Sequence, residues 1–164
     1  MHILVNNAGI MAIPGFGCTP QGHESQFATY FLGHFALTTG LHPSLAGAAG
    51  ARVVSVSSNG HLFSQVIFDD FDYLVRPYDP WSANGQSKTA CILQAVEATR
   101  RWSADGIFAN ARHPGAIATN RQRFTAGCRL PSTCERPLPR ALPRPCCWQH
   151  HHCWRALVPV TSKT

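Results

Sequence analysis

Arg52-Val-Val-Ser-Val-Ser-Ser58 is the stretch on which a reading of this chain turns. Valines at 53, 54 and 56 followed by two serines describe a short strand that ends in a polar turn. Residues 2 to 6 form a similar aliphatic run, and residues 107 to 111 a weaker one, each followed by turn-forming or polar residues. Between the first two runs, Thr19 is an N-cap candidate with Pro20 at the first helical position. Beyond it Phe27, Phe31 and Phe35, with His34 and Thr38, keep helical spacing. Between the second and third runs, Ala83, Ala90, Ile92, Leu93 and Val96 fall near one side of another helix, which Gly106 is placed to terminate. Strand, helix, strand, helix, strand predicts an α/β fold, a parallel sheet with covering helices.

The charge distribution divides the chain. Residues 1–120 hold six Lys and Arg against seven Asp and Glu, whereas residues 121–164 hold eight against one. The net charge of +6 therefore arises wholly in the second segment. That segment also carries six of the 12 prolines and five of the seven cysteines, in runs such as Pro137-Leu-Pro-Arg-Ala-Leu-Pro-Arg-Pro145. Proline at this density prevents helix and central strand, so a basic tail in disordered or extended polyproline form is expected after a domain of residues 1–120.

Five segments, in order, resemble the short-chain dehydrogenase/reductase family, with a look nearest its retinol dehydrogenase-like members. Trp81-Ser-Ala-Asn-Gly-Gln-Ser-Lys88 resembles the start of the family's catalytic helix, in which a tyrosine stands four positions before the lysine; here that position is Asn84. Leu4-Val-Asn-Asn-Ala-Gly-Ile10 is similar to the end of the family's fourth strand, and residues 27–38 to the helix that follows. Arg52–Ser58 is similar to the fifth strand, and His113-Pro-Gly-Ala-Ile-Ala-Thr119 to the loop after the sixth. The resemblance implies a partial Rossmann-like doubly wound sheet made of strands 4 to 6. The first three strands and the glycine-rich phosphate turn would then be missing, and no G-x-G-x-x-G run occurs in the 164 residues. An open strand edge, bared apolar helix faces and low stability are the expected consequences.

The same resemblance assigns chemistry residue by residue. Ser58 stands where the family's serine binds the substrate oxygen, and Lys88 where its lysine acidifies the tyrosine and holds the nicotinamide ribose. Asn84 takes the tyrosine's position, and an amide donates a hydrogen bond but exchanges no proton near neutral pH. Tyr30 takes the position of the asparagine that organises a relay water. Asn7, Ala8, Gly9, Lys88, Pro114, Gly115 and Thr119 match the cofactor-lining positions. NAD or NADP is thus the implied cofactor and a small alcohol or carbonyl compound the implied substrate, with proton transfer impaired by Asn84 and cofactor binding by the absent glycine turn. Without the resemblance, Ser58 reads as a turn residue, Lys88 as a helix-surface lysine and Tyr30 as a core aromatic. Tyr78 lies six residues before position 84 and does not fit the motif.

Other classes are weaker. His150-His-His-Cys153 and Cys146-Cys147 lack the paired spacing of a structural zinc site, so no metal is expected. The tail reads either as a basic interaction segment or as translation in a shifted frame of a GC-rich gene. Its arginines follow prolines rather than a helix face, which weighs against nucleic-acid binding. Met1-His-Ile-Leu-Val lacks a basic leader region and no run approaches 18 apolar residues, so a cytoplasmic protein without a membrane span is expected. A non-catalytic alternative remains, in which the fragment pairs through its helices with itself or with a full-length relative.

Overall fold

In a computed structural model of the chain, the described residues are 1–115. Thr119, the end of the 1–120 domain and the tail 121–164 lie outside them. Strands β1 (Ile3–Asn6), β2 (Ala51–Val56) and β3 (Ile107–Arg112) form one parallel sheet in that order. Val5 is level with Val54, and Val54 with Asn110. Strands of this kind need crossovers. The first runs through α1 (Ser25–Phe27), a π turn (Ala28–Leu32), α2 (Gly33–Gly40) and α3 (His42–Ala46); the second runs through α4 (Pro80–Trp102).

Both crossovers pack on one face. Leu45 of α3 and Ala95 and Ala98 of α4 close over Leu4, Val53, Ile107 and Ala109 from the three strands. A second cluster joins Phe27 and Ala90 to Val66, with Phe27 stacked on Phe71 at 4.9 Å. The opposite sheet face carries Ile3 at 64 % and Val5 at 54 % exposure, and the Arg52 guanidinium lies over the Phe108 ring. Among the described residues β1 pairs only with β2.

Three local expectations are corrected. Thr19 closes a turn, accepting from the N–H groups of Gly22 and His23, while the helix starts only at Ser25. Gly22 at φ +89° interrupts the chain between them, and the Glu24 carboxylate caps Gln26 and Phe27 at 2.9 and 2.7 Å. The buried stripe of the first crossover is Phe27, Tyr30, His34 and Thr38; Phe35 is exposed, and the Phe31 and Phe35 rings run along the helix flank. In α4, Leu93 and Val96 face outward, while Ala83, Asn84, Ser87, Lys88, Cys91, Ala95 and Ala98 are buried. Small residues win that face because the helix approaches neighbouring backbone closely. Gly106, left-handed at φ +72°, ends the short turn after α4 as expected.

The closest approach is at Gly85. A methyl group there would lie 2.8 Å from the Gly60 carbonyl oxygen and 3.0 Å from the Ser64 nitrogen, both backbone atoms. Gly85→Ala is therefore expected to cost about 1–3 kcal/mol through overpacking, read as a lower urea midpoint at unchanged slope.

Candidate active site

Parallel sheets present ligand sites beyond the carboxyl ends of their strands. Here those ends carry Asn7, Ala8 and Gly9 after β1, Ser57 and Ser58 after β2, and His113, Pro114 and Gly115 after β3. Ser57 continues the ladder, its N–H donating to the Arg112 carbonyl at 2.9 Å. The opening turn of α4 lies across the same end. Asp79 caps its N-terminus by accepting from Ser82 N–H at 2.6 Å, and Pro80 occupies the first helical positions.

Lys88 lies at the centre. Its side chain is 1 % exposed, and Nζ donates to the Val56 carbonyl at 2.9 Å, directly before the two serines. The ammonium sits 3.4 Å from the centroid of the Tyr30 ring. The Tyr30 hydroxyl donates in turn to the Ile10 carbonyl, tying the loop after β1 to the π turn. Ser57 donates its hydroxyl to the Lys88 backbone carbonyl at 3.0 Å, so it serves to dock α4. Ser58 caps the 3-10 turn Asn59–Phe63, its Oγ accepting from Gly60 N–H at 3.2 Å.

Asn84 is buried and donates from Nδ2 to Gln26 Oε1 at 3.1 Å. Its Oδ1 borders Gly60, where an added Cβ would stand 3.1 Å away. Gln26 is the hub that spacing did not reveal. Its oxygen also accepts from Ala12 N–H at 3.0 Å, and its nitrogen donates to the Tyr78 hydroxyl and the Pro80 carbonyl. Tyr78 donates to the Ile13 carbonyl at 3.0 Å, and burial pushes its phenol up to about 12. Only the tertiary contacts, 14 to 65 residues apart in sequence, expose this network.

The four motif positions Tyr30, Ser58, Asn84 and Lys88 thus converge at one end of the sheet, together with Asn7 to Gly9 and Pro114 to Gly115. Asn7 and Ala8 are exposed there, while the preceding Asn6 is buried and donates to Thr38 Oγ1 at 2.9 Å. Around them, burial raises the Glu24 carboxyl and the Cys91 thiol. Burial lowers His113, with a smaller contribution from His61. Among the described residues no group of three or more His, Cys, Asp or Glu is placed to hold a metal ion, and no helix is long and apolar enough to cross a membrane.

No protein-family model matches the chain. Individual relatives do. It is 57 % identical over 123 residues to the "Probable oxidoreductase" of Streptomyces lividans, covering 75 % of this chain and 41 % of that protein. It is 43 % identical over 127 residues to the short-chain dehydrogenase/reductase prx1 of Penicillium roqueforti, covering 75 % and 37 %. It is 39 % identical over 125 residues to human retinol dehydrogenase 13, covering 76 % and 38 %. Among solved structures, one from Mycobacterium paratuberculosis is 40 % identical at a TM-score of 0.64, covering 84 % of this chain and 51 % of that one. The NADPH-bound carbonyl reductase from chicken fatty liver is 26 % identical at a TM-score of 0.55, covering 74 % and 48 %. The chain belongs to the short-chain dehydrogenase/reductase family, and it spans about two fifths of the length of the curated relatives it matches.

His34, next to this centre, generates a pH prediction. It is buried, its ring nitrogens make no hydrogen bond among the described residues, and burial, reinforced by the Lys88 charge, holds its pKa below 6.5. The nearby Tyr30 carbonyl, off hydrogen-bond geometry, opposes this in part. A depressed folded-state pKa contributes stability that is present above the unfolded value and lost as pH falls below about 6.5 through the folded value. The urea midpoint is therefore expected to change less between pH 7.5 and pH 5.5 in His34→Gln than in the unaltered chain, with the difference in the direction of acid destabilisation of the latter.

Proposed function

We propose that this chain derives from an NAD(P)-dependent oxidoreductase that interconverts alcohols and carbonyl compounds, and that its own proton-transfer step is impaired. Asn84 carries the reading. It stands four residues before a buried lysine on the same helix, beside Ser58, and its carboxamide is engaged with Gln26. Ser58 is the residue to bind a substrate oxygen, Lys88 to hold a nicotinamide ribose, and Asn7, Ala8, Gly9, Pro114, Gly115 and Thr119 to line the cofactor. When bound, the nicotinamide supplies the hydride acceptor or donor, while the chain's task is to orient the substrate and exchange a proton at its oxygen. An amide at 84 holds that oxygen without exchanging the proton. General acid–base terms are worth roughly 10² to 10⁴ in rate, so the loss at this position alone is severe.

The NADPH bound in the chicken carbonyl reductase supports a nicotinamide cofactor, and the alcohol or carbonyl substrate class follows the oxidoreductase and retinol dehydrogenase names among the relatives. No glycine-rich phosphate turn occurs in the sequence, which weighs against tight cofactor binding by these residues alone. A second reading, a non-catalytic module that pairs through its helices, draws support from the exposed Phe35, Leu93 and Val96. The discriminating measurement is nicotinamide fluorescence with NADH and NADPH, on the unaltered chain and on Asn84→Tyr. Neither is expected to bind in the micromolar range, because the phenol serves proton transfer and not phosphate recognition; micromolar affinity in the unaltered chain overturns the impaired-binding part of the reading.

A further inference from the structure

Burying an ammonium ion is costly unless the surroundings replace its water, and Lys88 is among the largest fully buried side chains of the described residues. Among the described residues two replacements are visible. The Val56 carbonyl accepts from Nζ at 2.9 Å, and the Tyr30 ring presents its face to the ammonium at 3.4 Å from the centroid. Tyr30 is itself anchored through both side chain and backbone. Its hydroxyl donates to the Ile10 carbonyl, its backbone carbonyl accepts from the Cys91 thiol at 3.3 Å, and it lies within the π turn between α1 and α2. Tyr30 is 1 % exposed, as is Lys88. An aromatic face attracts a cation most strongly when both are desolvated.

We infer that Tyr30 is a positioning residue for Lys88: its ring fixes the ammonium against the end of β2 and shields it from solvent, so that the lysine serves the fold as a buried cation. Position 30 then matters through Lys88, by its π face more than by its hydroxyl. This holds whether or not the chain turns over any substrate, because it concerns only the state of Lys88 in the folded chain.

The chain has two lysines, Lys88 and Lys163, so amine acylation followed by peptide mass spectrometry reads Lys88 against an internal reference. In the unaltered chain Lys88 is expected to react at least about tenfold more slowly than Lys163, since reaction requires local opening. Tyr30→Phe keeps the π face and is expected to preserve the slow reaction. Tyr30→Leu keeps apolar bulk without a π face and is expected to bring Lys88 to within about threefold of Lys163, with the far-UV helix signal intact. Slow reaction in a folded Tyr30→Leu, fast reaction in Tyr30→Phe, or equal rates in the unaltered chain overturns the inference. Should Tyr30→Leu lose its helix signal, Tyr30→Leu/Lys88→Met decides: recovery of the fold shows that the ring serves the charge, and continued unfolding overturns it.

Discussion

The contact between the Lys88 ammonium and the carbonyl at the end of β2 constrains most of what surrounds it. For Nζ to reach Val56 at 2.9 Å, the first turns of α4 must lie almost directly on the strand end and the 3-10 turn that follows it. Only a contact made of small residues allows that approach. Ala83, Gly85 and Ser87 supply it, and at Gly85 there is no room for even a methyl group beside the Gly60 carbonyl. Ser57 and Thr89 fasten the same junction by donating to the carbonyls of Lys88 and of Ser64 respectively.

Around that contact several polar side chains are matched to one another, although His34 is not. Gln26 joins the loop after β1, the start of α1, the loop before α4 and α4 itself through Ala12, Tyr78, Pro80 and Asn84. A second set ties the long loop down: Arg76 donates to Gln86 at 2.8 Å and lies over the Tyr73 ring, while Asp70 accepts from the N–H groups of Leu74, Val75 and Arg76. Buried polar networks of this kind specify a single arrangement when every member is matched. Asn84 belongs to such a network as a structural donor.

Much of the fold was legible because its signals are local. Short aliphatic runs ending in polar turns located all three strands, and a glycine placed after a helical stretch located the end of the turn after α4. Helix faces were not legible in the same way. Apolar periodicity pointed to Phe35, Leu93 and Val96, which are exposed, because the buried faces are chosen by how closely backbones approach and not by hydrophobicity alone. The helix start was misplaced for a related reason: Thr19 followed by Pro20 has the chemistry of a cap, but Gly22 turns the chain first and Glu24 provides two acceptor oxygens in its place.

By itself, the amino-acid sequence determined the parallel α/β arrangement and the family, and through that resemblance it proposed Tyr30, Ser58, Asn84 and Lys88 as site residues. Tertiary structure alone decided what those residues do to one another. The Tyr30 ring covers Lys88, Asn84 is engaged with Gln26, and Ser57 rather than Ser58 docks the helix. Those relations join positions tens of residues apart, and they exist only once the strand ends, the π turn and α4 have been brought together and water has been excluded from between them.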